Sequence, residues 1–337
     1  MRIRKGEPAL PLDFNLPRQV RELTGRDGKT YLQFTSHMVT FYEQTYGEHS
    51  RFFMALRDGR LIGAKCDQCQ QVMVPAATWH CPNCNFAEMR EIELPHRGVL
   101  SFTAPITIFP SASFIGDAPF ARGYVDVATD APIASFLPSR LRTTTGLERP
   151  GIFVKGVELK LEFEDERDGS IRDIFWVPMS EIPDQLRKKQ PLLASELDFS
   201  TPKPPEVKMD SAKAGLLKEA LTAMRKLAGD VERSRRAQAD LVGRTHAIGI
   251  KTGGGDLCLR VASSRISVAE GIPADVQFTL VAADPGIFTR WVNDGSLTDA
   301  AVEGALWLPH KEAFEVLPIL DRLPRSVRRD LRDQAKK

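Results

Sequence analysis

Four cysteines in two pairs constrain this chain more than any other feature. Cys66 and Cys69 form one Cys-x-x-Cys, Cys81 and Cys84 form a second, and eleven residues lie between them. A Cys-x-x-Cys knuckle turns two thiolates toward one point. Two knuckles complete a tetrahedral four-sulfur cage of the kind zinc favours. Such a cage leaves no position for water or substrate, so the ion it holds is structural and not catalytic. A loop this short has little core of its own, and metal binding supplies much of its folding energy. Iron in a rubredoxin-like role is the alternative. A redox dithiol fits less well, because it stands alone near a βαβ unit and none lies here. The residue after each second cysteine is Gln70 or Asn85, at a position that needs positive φ. Asn tolerates that geometry better than Gln, so the first knuckle is expected to be the irregular one. His80 is expected at the surface.

The fifth cysteine, Cys258, sits alone in an apolar strand pattern and reads as a buried thiol. The first residues, MRIRKGEPALPLDFNLP, start basic, but Glu7, Pro8, Pro11 and Asp13 interrupt any apolar core, so no export signal is read. A reduced, cytoplasmic setting is therefore expected, with metal binding in place of disulfides. No apolar run approaches the roughly 20 residues of a membrane span.

Along the 337 residues the pattern changes several times, and the expected class is multi-domain. Residues 1–59 read as an arm with helices: extended over 1–35, helical over 36–59. Ser50 is placed to cap a short helix bearing Phe52, Phe53 and Leu56, and Gly59 to stop it. Residues 60–94 hold the cysteines. Residues 95–181 carry short β-like runs at Val99–Thr103, Ile106–Phe109, Tyr124–Ala128, Ile133–Leu137, Phe153–Phe163 and Ile171–Val177, separated by Gly, Pro and Asp. That is the pattern of a small all-β barrel or sandwich. Residues 182–209, with Pro191, Pro202, Pro204 and Pro205, read as linker. Residues 210–337 read as an α+β domain. It opens on a helix with Leu216, Leu217, Ala220, Leu221, Met224 and Leu227 at helical spacing. Four strand-like runs follow. Asp284-Pro285 opens a helix through Trp291, and Val302–Leu308 reads as a strand. A last helix carries Phe314, Leu317 and Leu320, and Pro318 interrupts it.

The charge excludes one obvious function. A cysteine cage beside a small barrel suggests nucleic-acid binding, yet residues 95–180 hold nine Lys/Arg against eleven Asp/Glu. Phosphate contacts dominate nucleic-acid affinity, so this barrel is poorly suited to them. No paired carboxylates, Ser/His sets or phosphate loops stand out, and no catalytic residue is assigned. Lys251-Thr252-Gly253-Gly254-Gly255 is glycine-rich but lacks the order of a P-loop and reads as a turn between strands. Arg325, Arg328, Arg329 and Arg332 share one helix face. They suit a solvated helix end, or else CoA phosphates or an acidic partner.

A family resemblance enters on residues 45–180. Phe52–Leu61 leads into the cysteines, with Pro75 between the knuckles. Gly98-Val99-Leu100-Ser101-Phe102-Thr103, Tyr124-Val125-Asp126-Val127, Val157-Glu158-Leu159 and Phe175-Trp176-Val177-Pro178 follow in order. This order resembles the family long called domain of unknown function thirty-five. Its members join a rubredoxin-like zinc ribbon to an OB-fold associated with acyl-CoA enzymes. The resemblance implies a thiolase-like partner that makes or breaks carbon–carbon bonds on CoA thioesters and carries the catalytic residues. This chain would then be an accessory subunit in a hetero-oligomer, stabilising the partner and helping to form the thioester channel. Only the four cysteines carry over residue by residue.

Residues 211–323 resemble a sterol carrier protein type 2 domain. The long amphipathic helix, Ala274-Asp275-Val276-Gln277-Phe278-Thr279-Leu280, the helix with Trp291, and Ala301-Val302-Glu303-Gly304-Ala305-Leu306-Trp307-Leu308 carry it. Such domains enclose an apolar tunnel for acyl or sterol tails. The resemblance makes Phe278, Leu280, Phe288, Trp291, Leu306, Trp307 and Phe314 candidate lipid-lining residues, although aromatics at these spacings also form ordinary cores. An independent lipid or acyl-CoA carrier is the second functional reading.

Overall fold

The computed structural model describes residues 19–35, 45–75, 80–108, 110, 117–127 and 130–334, and the chain divides into units Met1–Tyr46 and Gly47–Lys337. In the first unit, β1 (Gln19–Thr24) and β2 (Thr30–Thr35) pair antiparallel. Asp27 and Gly28 make the turn: the Asp27 carboxylate accepts from the Lys29 amide at 3.1 Å, and Gly28 takes φ +79°. Asp-Gly between β-prone runs is a hairpin signal, so residues 19–35 form a hairpin and not an extended arm. Residues 1–18 and 36–44 of the expected arm and helix lie outside the described residues.

The second unit opens with α1 (Ser50–Arg57), which buries Phe52, Ala55 and Leu56. Ser50 is its first residue and not its cap. Gly59, at φ +76°, ends it as expected. Arg167 Nε donates to the Arg57 carbonyl at 2.9 Å, satisfying one of the helix-end acceptors. Four short strands follow: β3 (Ile62–Cys66), β4 (Val72–Met73), β5 (His80–Cys81) and β6 (Ala87–Glu93), in the order β4-β3-β6-β5.

Next come β7 (Arg97–Leu100), β8 (Ile106–Thr107), β9 (Phe120–Asp126), β10 (Phe136–Leu141), β11 (Glu158–Phe163) and β12 (Ile174–Pro178). Hydrogen bonding runs β7-β9-β10-β12-β11 and back to β7, and only β10–β12 is parallel. This is a closed five-stranded Greek-key barrel, the OB-fold. Short β8 lies on the flank of β9. The strand expectations are right in order but not in bounds. The run from Phe153 becomes strand only at Glu158, because Gly156 at φ +87° turns the chain. Ile171–Asp173 is a 3₁₀ turn closed by a capping box between Ser170 and Asp173. One core joins helix, cysteine sheet and barrel, running from Phe52 and Leu56 through Leu61, Ile62 and Val72 to Leu100, Val125, Leu161 and Trp176.

Residues 182–199 are not linker. Ile182, Leu192 and Leu197 bury themselves against Phe175 and Val177 on the outer face of the barrel. The Phe163 amide donates to the Leu192 carbonyl at 2.9 Å. Arg142 lies between Phe175 and Phe199, 4.6 and 4.0 Å from their ring centres. Beneath this strap, the Lys160 ammonium donates to the Lys189 carbonyl at 2.6 Å. Glu162 is fully buried, and neither of its carboxyl oxygens has a partner. Burial pushes its pKa up to about 9, against a smaller opposing pull from Lys160.

The C-terminal part places α2 (Lys213–Arg233), α3 (Arg235–Asp240), β13 (His246–Thr252), β14 (Gly255–Ala262), β15 (Arg265–Glu270), β16 (Phe278–Ala282), α4 (Gly286–Asn293), α5 (Leu297–Val302) and α6 (Lys311–Gln334) around a sheet ordered β15-β14-β13-β16. β13 to β15 form an antiparallel meander, and β16 pairs parallel to β13. α2 buries Ala220, Leu221, Met224, Leu227 and Val231 against the sheet and the later helices. Lys251–Gly255 is indeed the β13–β14 turn, and Cys258 is buried in β14. Pro285, not Asp284, is the N-cap of α4 and makes no side-chain cap bond, while Asp284 accepts from the Gly286 amide at 2.8 Å. Val302–Leu308 is not a strand. α5 ends at Val302, Gly304 turns at φ +76°, and only Trp307 bridges to Val281. α6 continues through Pro318 and Pro324. Packing of Leu317, Leu320, Leu323 and buried Pro324 outweighs the lost hydrogen bonds.

Barrel and C-terminal part meet at residues 145–149. The Trp307 indole donates to the Thr145 carbonyl at 2.7 Å, and the Leu147 amide donates to the Leu308 carbonyl at 2.9 Å. Gly146, at φ +117°, has no room for a side chain beside Trp307. Glu148 adjoins an apolar slot lined by Ile106, Leu147, Leu306 and Phe314, and desolvation pushes its pKa up to about 7.

A raised carboxyl pKa ties stability to pH. Glu162 contributes stability that is fully present below its unfolded value near 4.5 and is lost as pH rises through its folded value of about 9. Glu162→Gln removes this dependence. The wild type should lose up to about 1.4 kcal/mol per pH unit relative to this variant between those limits. Paired denaturant titrations at pH 5, 6.5 and 8 check it, and parallel curves would contradict it.

Candidate metal centre

The cysteine cage is built by backbone geometry before any side-chain chemistry. Cys66 closes β3 and Cys81 lies in β5, while Cys69 and Cys84 lie in the turns that follow. In the first knuckle the Gln70 amide donates to the Cys66 carbonyl at 2.9 Å, and Gln70 takes φ +61°. The Gln70 side chain reinforces the turn by donating to the Asp67 carbonyl at 2.8 Å. In the second, the amides of Cys84 and Phe86 donate to the Cys81 carbonyl at 3.3 and 3.1 Å. Asn85 and Phe86 stand at φ +47° and +63°. Positive φ after each second cysteine is as expected, but the knuckle with two such residues is the second.

Cys66 and Cys81 are buried, and Cys69 and Cys84 are half-buried. All four sulfurs lie within 4.8 Å of one another, and the Sγ atoms of Cys69 and Cys81 are 3.6 Å apart. A tetrahedral ion with Zn–S bonds of about 2.3 Å sets its sulfurs about 3.8 Å apart, so the cage has the size zinc needs. The sulfur environments differ. The Cys69 amide, helped by that of Gln68, draws the Cys66 thiol down to about 7. Hydrogen bonding to Cys69, with burial, pushes Cys84 up to about 12, and burial pushes Cys81 up. Thiolates crowded this closely resist joint ionisation, and a bound cation removes that conflict. His80 is exposed and stands outside the cage.

Residues 54–89 match the family described as ChsH2, rubredoxin-like zinc ribbon domain. The match covers the cysteine-bearing segment alone. Its four cysteines fit one structural zinc ion. No curated protein matches the chain significantly. Among solved structures, the chain is similar to one described as Ltp2-ChsH2(DUF35) aldolase, with 16% identity over 39% of this chain and 94% of that one and a TM-score of 0.31. A DUF35-family protein of unknown function from Sulfolobus solfataricus gives 17% identity over 38% and 82%, with a TM-score of 0.27. Likeness at this level says nothing of activity.

Side-chain hydrogen bonds at Gln71 and Val72 pin the ribbon to the barrel. Val72 O accepts from the Gln71 side chain at 2.9 Å and from the Ser135 hydroxyl, and Gln71 also donates to the Ile133 carbonyl at 3.0 Å. Sequence gives no sign of these two residues, since a lone Gln and a lone Ser in polar stretches carry no pattern.

The candidate lipid-lining residues sit in packed surroundings. Phe278, Leu280, Phe288, Trp291 and Leu306 belong to the C-terminal core, and the Trp291 indole donates to the Leu320 carbonyl at 3.3 Å. Trp307 instead joins the C-terminal part to the barrel through Thr145. Leu306 and half-buried Phe314 line the slot beside Glu148. Of the basic tail, Arg328 donates to the carbonyls of Val292 and Asn293 at the end of α4, a structural use of its charge. Arg325, Arg329 and Arg332 are exposed. Among the described residues no helix is long and apolar enough to cross a membrane.

Purified protein should carry one zinc per chain by elemental analysis, and Cys81→Ser should reduce it to near zero. Structural zinc supplies on the order of 10 kcal/mol to small domains, so the variant should lose the ribbon's cooperative unfolding. Iron with rubredoxin-type absorbance in the wild type would contradict the assignment.

Proposed function

We propose that this protein is a non-catalytic subunit of an acyl-CoA complex that makes or breaks carbon–carbon bonds, working with a thiolase- or aldolase-type enzyme. The match of residues 54–89 to the ChsH2 zinc ribbon carries the reading. A ChsH2 protein is paired with Ltp2 in a solved aldolase. The closed cage gives the ribbon a building role rather than a chemical one.

The barrel surface supports a protein partner. Phe102, Tyr124 and Phe136 are 56%, 53% and 41% exposed and touch edge to face, with ring centres 6.5 and 6.0 Å apart. β9 and β10 set Tyr124 opposite exposed Pro138 and Phe136 opposite Asp126. Clustered exposed aromatics are costly in water and typical of interface centres. This face of the barrel would meet the catalytic enzyme.

Co-expression with a thiolase-like enzyme from the same source tests the reading. The two should elute together, and turnover of an acyl-CoA should need both. Replacing Phe102, Tyr124 and Phe136 together by Ser should weaken assembly at least a hundredfold, since central aromatics contribute about 2 kcal/mol or more each, while zinc content stays unchanged. Elution as a lone species with every such enzyme tried, or turnover by this protein alone, would overturn it.

A further inference from the structure

The second knuckle carries a strain that a metal cage does not require. In both knuckles the residue after the second cysteine is left-handed, Gln70 at φ +61° and Asn85 at φ +47°. The first knuckle stops there. Its next residue, Gln71, leaves the left-handed region, is buried, and ties the ribbon to the barrel. The second knuckle continues for one more residue, with Phe86 at φ +63°. Glycine, asparagine and aspartate tolerate that backbone, and a bulky side chain does so poorly.

The Phe86 ring gives no packing in return. It is 72% exposed, more than Phe102 or Tyr124 of the barrel. Its neighbours Cys84 and Ala87 pack against the small interior of the cysteine sheet, and Phe86 does not. Its backbone is used, since the amide donates to the Cys81 carbonyl at 3.1 Å. Any residue but proline supplies that amide, so the knuckle needs the position and not the ring. A lone exposed aromatic is ordinary. One held in left-handed backbone on a turn fixed by four sulfurs is not, because strain of this kind gathers at functional sites.

The surroundings define what the ring would meet. β5 and β6 set exposed His80 opposite exposed Glu88, two residues beyond Phe86. Arg90 of β6 is already paired with Asp67 at 2.7 Å, and Glu88 has no ion-pair partner among the described residues. A projecting ring beside a free carboxylate complements an apolar pocket with a cation on its rim. Both residues lie in segment 54–89, the segment on which the subunit reading stands.

We propose that Phe86 is the ribbon's anchor on the catalytic partner: its ring enters an apolar pocket of that enzyme, and Glu88 meets a lysine or arginine at the rim. This anchor presupposes the subunit reading and adds to it a contact outside the barrel.

Phe86→Asn separates strain from use. Asparagine accepts left-handed backbone, so the zinc-loaded full chain should lose zinc to a chelator at least threefold more slowly than wild type. Affinity for a thiolase-like enzyme from the same source, measured by titration calorimetry, should fall at least tenfold. Phe86→Gly should act the same way and serves if the asparagine variant does not fold. Phe86→Tyr keeps the ring and should bind within threefold of wild type. Glu88→Lys should slow association at least threefold, with a changed salt dependence. Faster zinc loss with unchanged affinity in Phe86→Asn would make the ring merely structural and overturn the anchor alone. So would self-association of the wild type that Phe86→Asn abolishes, which would give the ring to a second copy. A wild-type chain that binds no such enzyme would overturn the anchor and the subunit reading together.

Discussion

The four-sulfur cage is the constraint on which the N-terminal half of the second unit depends. Among the described residues, the sheet that carries it has only Ala64, Met73, Ala87, Met89 and the cysteines as an interior of its own. That is too little apolar surface to offset the entropy of ordering some thirty residues. A cation bound by four thiolates supplies what the sheet lacks. Its other face then joins Phe52 and Leu56 of α1 to the barrel interior, so one continuous core spans three sequence segments. Metal affinity and barrel stability are thus linked through shared packing, not through charge.

The C-terminal part is fixed by other means. Its core is large enough to stand on its own, and carboxylates settle where its helices begin. Asp321 in α6 accepts from Ser296 and from the amides of Leu297 and Thr298 at the start of α5. Asp330 accepts from Ser234 and from the Arg236 amide at the start of α3. In both cases a buried or half-buried acid on the last helix satisfies free amides of an earlier one. The joint to the barrel rests on Trp307, whose indole and backbone serve two neighbours at once: Thr145 on the barrel side and Val281 in the sheet.

How much of this was legible in sequence depended on whether the signal was chemical or steric. The cysteines were legible because four identical ligands at fixed spacing have few other uses. Strand order in the barrel was legible, but strand bounds were not, because Gly156 and the capping box at Ser170 act within a few residues. The strap was misread because its prolines resemble linker chemistry. Its three anchors, Ile182, Leu192 and Leu197, are too widely spaced to show a period. Pro318 signals a break in an isolated helix, and tertiary packing overrode it. The candidate lipid residues show the deepest limit: an aromatic that lines a tunnel and one that fills a core have the same spacing.

One small feature of the ribbon–barrel joint reaches further than its size suggests. The Val72 carbonyl, in the strand beside the first knuckle, holds Ser135, and Ser135 immediately precedes Phe136 in the exposed aromatic cluster. This hydrogen bond ties the exposed aromatic cluster to the strand next to the cage. A ribbon loosened at its cage would therefore be felt at a surface that contributes none of the four sulfurs.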